Sequence, residues 1–144
     1  MSYKSIRQLI EDFATNHEMV AEFQAENVDG VSITDTTNYP LVFFNPLGES
    51  ISTAGYSYKL QLYILDYQVN DLYVSKEYCV EKCHNIAFDL YNYLKKCKMR
   101  VPQDYTINTE FNFERDKVHG VSLDFDIIGS GGCLRNISSV INGC

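Results

Sequence analysis

Residues 56–67 read YSYKLQLYILDY, and residues 75–98 read SKEYCVEKCHNIAFDLYNYLKKCK. In the first, Tyr56, Tyr58, Leu60, Leu62 and Ile64 alternate with Ser57, Lys59, Gln61 and Tyr63. A period of two places alternate side chains on opposite faces of a pleated strand, so this is a strand with one buried face. In the second, Cys79, Cys83, Ile86, Leu90, Leu94 and Cys97 recur at steps of three and four, the stripe of a helix buried along one side. Ser75 is a suitable N-cap with Glu77 in the first turn, Lys95, Lys96 and Lys98 suit the negative end of the helix dipole, and Val101-Pro102 ends the run.

The N-terminal segment reads as another helix. Ser5 and Gln8 fit a capping box, and Ile6, Leu9, Ile10, Phe13, His17, Val20 and Ala21 form one apolar stripe. Asp29-Gly30 is a stop signal, and residues 27–40 read as a loop or short edge strand. Residues 39–46 (YPLVFFNP) are a short strand fenced by prolines, and residues 47–55 (LGESISTAG) a polar loop.

After the long helix come two more alternating runs. Tyr105, Ile107, Thr109, Phe111 and Phe113 lie on one face of the first; Val121, Leu123, Phe125 and Ile127 on one face of the second. Keeping both apolar faces together requires an odd loop centred on Lys117, with Phe111 opposite Leu123 and Phe113 opposite Val121. The same register sets Glu110 against Asp124, an unfavourable pair of like charges. Glu110, Asp124 and Asp126 then form an acidic outer face, a candidate channel lining or subunit interface; plain solvation of an open sheet face is the bland alternative.

These elements predict an α+β fold: an antiparallel sheet of about four strands with two helices on one face, in the order α-β-β-α-β-β. Residues 1–128 make a single domain. Residues 129–144 make a Gly-rich linker (GSGG) and a tail whose Leu134, Ile137, Val140 and Ile141 are candidates for docking on a neighbour.

Composition narrows the function. Of 144 residues, 19 are acidic and 12 basic, a net charge of −7, which disfavours gripping nucleic-acid phosphates. No run of apolar residues is long enough for a membrane helix, and the N-terminus has no secretory-signal pattern. The five cysteines, an odd number, are therefore expected as free thiols, and the Asn136-Ile137-Ser138 sequon as unused. Cys79-x-x-x-Cys83-His84 resembles half a zinc site, but no second ligand pair accompanies it and both thiols fall on the apolar stripe. Nothing places His17, His84 or His119 beside a cysteine as a base. No catalytic residue, cofactor site or metal site is expected.

The order of an aromatic strand ending near Asp66, an amphipathic helix, and a final hairpin (NTEFNFERDKVHGVSLDFDII) with Asp116 and Gly120 in its loop resembles the phage tail-terminator and tail-completion proteins that join head to tail. The resemblance covers roughly residues 1–128; the GSGG linker and tail depart from it. It implies a non-enzymatic virion protein, assembled in the host cytoplasm as a homo-oligomeric ring against portal, neck or tail neighbours. DNA would meet it only as a passing strand, which an acidic lining repels. The alternative on the same scaffold is a cytoplasmic small-molecule enzyme or ligand-binding module.

Overall fold

The computed structural model describes residues 3–25, 37–52, 55–69, 73–96, 106–113 and 117–129. Its helices are α1 (Tyr3–Asn16) and α2 (Tyr73–Lys96), and its strands are β1 (Glu22–Ala25), β2 (Leu41–Ser52), β3 (Gly55–Tyr67), β4 (Thr106–Glu110) and β5 (Val118–Gly129). The strands form one open sheet in the order β1-β2-β3-β5-β4. The β1–β2 pair is parallel and the others are antiparallel.

The chain is therefore α+β with a mixed sheet, and the expected all-antiparallel sheet is corrected at one edge. The extra strand comes from the stretch that follows α1. The apolar spacing predicts a helix through Ala21, but α1 ends at Asn16. His17 stops it: the ring Nδ1 accepts the Met19 amide at 3.1 Å, and the His17 carbonyl accepts the Val20 amide at 3.3 Å. Those bonds turn the chain out of the helical path, so that the Ala21 amide reaches the Pro40 carbonyl at 2.8 Å. Val20 still packs against the core, which explains how a helical spacing could persist beyond the helix. At the other end α1 starts before Ser5, and Gln8 bonds forward to Asp12 at 2.9 Å instead of back into a capping box.

The proline fence also fails at one post. Strand β2 does begin at Leu41, directly after Pro40, but it continues through Pro46 to Ser52. Among the described residues β1 pairs with β2 only as far as Phe44, short of Pro46, whose ring supplies no backbone donor. A bulge between Pro46 and Gly48 absorbs the irregularity, with Gly48 at φ 139°. Leu47 to Ser52 of the LGESISTAG stretch thus belong to the outer half of β2, paired with β3, and not to a loop.

The main core lies between the sheet and both helices. Ile6, Leu9, Ile10 and Phe13 of α1 and Cys83, Ile86, Leu90 and Leu94 of α2 pack on Val42, Phe44, Leu60, Leu62, Ile64, Val121, Leu123, Phe125 and Ile127. The α1 stripe is as the spacing predicts as far as Phe13, as are the α2 stripe from Cys79 to Leu94 and the inner faces of β3 and β5; Cys97 lies outside the described residues. A second, smaller cluster occupies the opposite face: Leu41, Leu65 and Val118, with Tyr39, Tyr63 and Phe113 packed on it. Near it, β3 and β5 approach so closely that a Cβ on Gly120 would lie 1.9 Å from the Ile64 carbonyl oxygen. Gly120 is therefore a strand residue paired with Leu65, not a loop residue as the resemblance implies. Asp116 lies outside the described residues.

Candidate functional site

The final hairpin keeps its odd parity but not its register. Ile107 faces Leu123, Thr109 faces Val121, and Glu110 faces Gly120. The predicted Phe111–Leu123 and Glu110–Asp124 pairs are both wrong. The reason is an irregular connection that strand alternation cannot show. Strand β4 ends at Glu110, and Asn112 takes φ 50° and Lys117 φ 68°. The Asn112 amide donates to His119 Nδ1 at 3.0 Å, leaving the ladder, while the Phe113 amide bonds the Val118 carbonyl at 2.9 Å. One residue is thereby gained at Asn112, and the next side chain changes face. Phe111 remains on the helix side, 51% exposed, with its ring edge-on to His119. Phe113 joins the opposite cluster, 4.5 Å from the Tyr63 ring.

The three acidic residues do share the face away from the helices. They are not stacked against one another: Asp124 lies between Gln61 and Thr106, and Asp126 opposite Lys59. Glu110 accepts the Ser122 hydroxyl at 2.9 Å. This face is only partly open to solvent, since Leu41, Phe43, Leu65 and Ser122 on it are buried and Asp124 Oδ1 is buried without a hydrogen-bond partner. Leu134, Ile137, Val140 and Ile141 lie outside the described residues, as do Cys133, Cys144 and the Asn136 sequon.

The helix side of the sheet carries a polar network at the end of β3. Asp66 is 6% exposed and is bonded by Lys82 Nζ at 3.1 Å and by the Tyr67 amide at 2.9 Å. Burial works against the Lys82 charge, but the Asp66 carboxylate outweighs it and raises the Lys82 pKa. Cys79 lies beside this pair: burial, then the Asp66 charge, pushes its thiol up to about 11. Burial pushes the Cys83 thiol higher still. Thiols held protonated are poor nucleophiles and poor metal ligands. We expect both to resist thiol reagents in the folded protein; fast native labelling of Cys83 would contradict the packing. Among the described residues no group of three His, Cys, Asp or Glu side chains is placed to hold a metal ion.

Two of the three histidines are likewise engaged. In His119, 1% exposed, Nδ1 accepts a backbone amide, so the proton resides on Nε2 and is donated to Gln68 Oε1 at 2.7 Å. Burial, with the nearby Lys76 charge, lowers the His119 pKa, as suits a neutral ring. His17 is held at both ring nitrogens too, with Nδ1 accepting the Met19 amide and Nε2 2.8 Å from Asp89, tying the end of α1 to α2. Alternation along β5 does not mark His119 as a buried polar group, because its partners come from the irregular loop and from beyond β3.

A groove that sequence reasoning missed lies between α2 and the edge strand β4. It is open, about 490 Å³, and lined by Glu77, Val80, Glu81, His84, Thr109 and Phe111. Lys76 Nζ sits 4.4 Å above the Phe111 ring at its end. Phe88, one turn beyond His84, is 64% exposed, and Ile107, two residues before Thr109 on the same strand face, is also exposed. The available signal was Phe88 itself, an apolar side chain off the buried stripe.

No helix among the described residues is long and apolar enough to cross a membrane, which says nothing of a β-barrel. No protein-family model matches the sequence, and a search of curated proteins finds no match.

Proposed function

We propose that this chain is a structural virion protein, one subunit of a ring at the head-to-tail junction or in the tail of a phage. Neighbouring portal, neck or tail proteins would adjoin it, and DNA would pass through without adhering. One observation carries the reading: two separate pairs of exposed apolar side chains lie toward opposite edges of the sheet. Leu47 and Ile51 (72% exposed) lie on the outer half of β2, whereas Ile107 and Phe111 lie on and beside β4 at the far edge. A subunit in a closed ring needs two different surfaces, one for each neighbour, because head-to-tail contacts join unlike patches. The net charge of −7 adds a field that repels DNA phosphates.

Light scattering over a range of concentrations tests the reading. A mass at a fixed high multiple of 16.5 kDa is expected. A particle that remains monomeric alone and with virion components would overturn it. A ligand-binding module is the second reading, favoured by the α2–β4 groove, whose volume falls within the range of small-molecule sites. That reading expects a monomer or dimer whose melting temperature rises with a small ligand.

A further inference from the structure

The α2–β4 groove has three properties that together select an occupant. Val80 and Phe111 give it an apolar floor, and Phe88 and Ile107 continue the line of exposed apolar side chains. Glu77 and Glu81 give it an acidic rim, while the nearby cation, Lys76, is placed over the Phe111 ring. Its strand wall, β4, is an edge of the sheet, and among the described residues nothing pairs with the outer side of that strand. Edges of this kind accept added chain through backbone hydrogen bonds, with side-chain pockets supplying the selection.

Residues 133–144 have the complementary composition. Leu134, Ile137, Val140 and Ile141 are aliphatic, and Arg135 is the single charged side chain among them. We propose that the groove receives residues 133–144 of a neighbouring copy of the chain, with Arg135 set against Glu77 and Glu81. This inference rests on the ring reading and assigns one of its contacts.

Reach argues for the neighbour's segment over the chain's own. Thr109, in the groove wall, is opposite Val121, eight residues before Gly129 at the end of β5. At roughly 3.4 Å per residue that is about 27 Å along the strand. Arg135 follows Gly129 by six residues, so a chain turning straight back carries its backbone at most about 22 Å. The backbone at the chain's own Arg135 thus falls short of the level of Thr109 and would need a fully extended return with an outstretched side chain, whereas a copy placed across the β4 edge has no such limit.

A charge-swap mixing experiment on the full-length chain under reducing conditions tests this. One variant carries Glu77→Lys and Glu81→Lys; the other carries Arg135→Glu. Glu77 and Glu81 are exposed on α2, and thermal melts check that both variants fold. Each variant alone should need on the order of tenfold more protein to assemble than the wild type. An equimolar mixture should recover wild-type assembly, because each altered groove then meets an oppositely charged segment. Wild-type assembly by either variant alone would overturn the proposal. So would impaired variants that the mixture does not rescue, the result expected if the chain's own segment or a different protein fills the groove. If the wild type never assembles, the ring reading fails first, and the groove is then judged with a labelled peptide of residues 130–144. Binding to the wild-type chain that weakens about tenfold in the Glu77→Lys, Glu81→Lys variant supports the groove assignment. Absence of binding overturns it.

Discussion

The two faces of the sheet are built by different rules. On the helix-covered face, Leu60, Leu62, Ile64, Val121, Leu123 and Ile127 form an apolar layer, and the buried polar side chains of that face among the described residues, Asp66, Gln68 and His119, gather at one end. On the other face, buried Leu41, Phe43, Leu65 and Val118 lie beside Asn45, Gln61, Ser122 and Asp124. Gln61 accepts bonds there from both Asn45 and Tyr63. The first face is held by area removed from water; the second mixes burial with hydrogen bonds, which give specificity more than net stability. Alternation is a reliable guide where one face is wet, and here the second face is wet only in part.

The largest effect should come where the two faces meet the backbone. Gly120→Ala drives a methyl group into the Ile64 carbonyl, and the neighbouring contacts are backbone that cannot rotate away. A loss of about 3 kcal/mol or more is expected by chemical denaturation. A loss under about 1 kcal/mol would mean that β3 and β5 are less closely paired than described. Next, Leu62 and Tyr63 are sequence neighbours on opposite faces and allow a direct comparison. Leu62→Ala should cost about 2–5 kcal/mol, since the side chain is fully buried between sheet and helices. Tyr63→Ala, removing a half-buried ring, should cost roughly half as much. Equal losses would erase the distinction between the faces.

Acid offers a gentler probe of the polar end. The folded-state pKa of His119 is below its ordinary 6.5, so the unfolded chain takes up the proton first. The contribution is whole above pH 6.5 and is lost as pH falls from there through the folded value. His119→Gln should flatten the stability profile in that window, measured by urea midpoints at successive pH values. An unchanged slope would mean that another group controls it. Smallest of all, Phe111→Ala should cost less than about 1 kcal/mol, because the ring is half exposed and edge-on to His119. A loss of about 3 kcal/mol would restore the predicted Phe111–Leu123 pairing in place of the observed one.

What was legible in the sequence follows the same division. The stripes of α1 and α2 and the inner faces of β3 and β5 are plain in the spacing, because repeated burial against one layer imposes a repeated pattern. Strand β1 was hidden because Val20 packs on the core at a helical interval after the helix has ended. The hairpin register was hidden because one residue in left-handed conformation, Asn112, shifts everything beyond it, and non-glycine residues rarely advertise that conformation. The acidic trio was found on its face but with the wrong neighbours, for the same reason. The groove beside β4 was marked in the sequence only by Phe88, off the buried stripe, because it is formed between elements distant in sequence.

The central claim is assembly into a ring, and electron microscopy of the purified chain tests it most directly. Closed rings of uniform subunit number with a central opening are the predicted result. A field of separate particles of single-chain size, unchanged by raising the protein concentration or adding virion components, would contradict it.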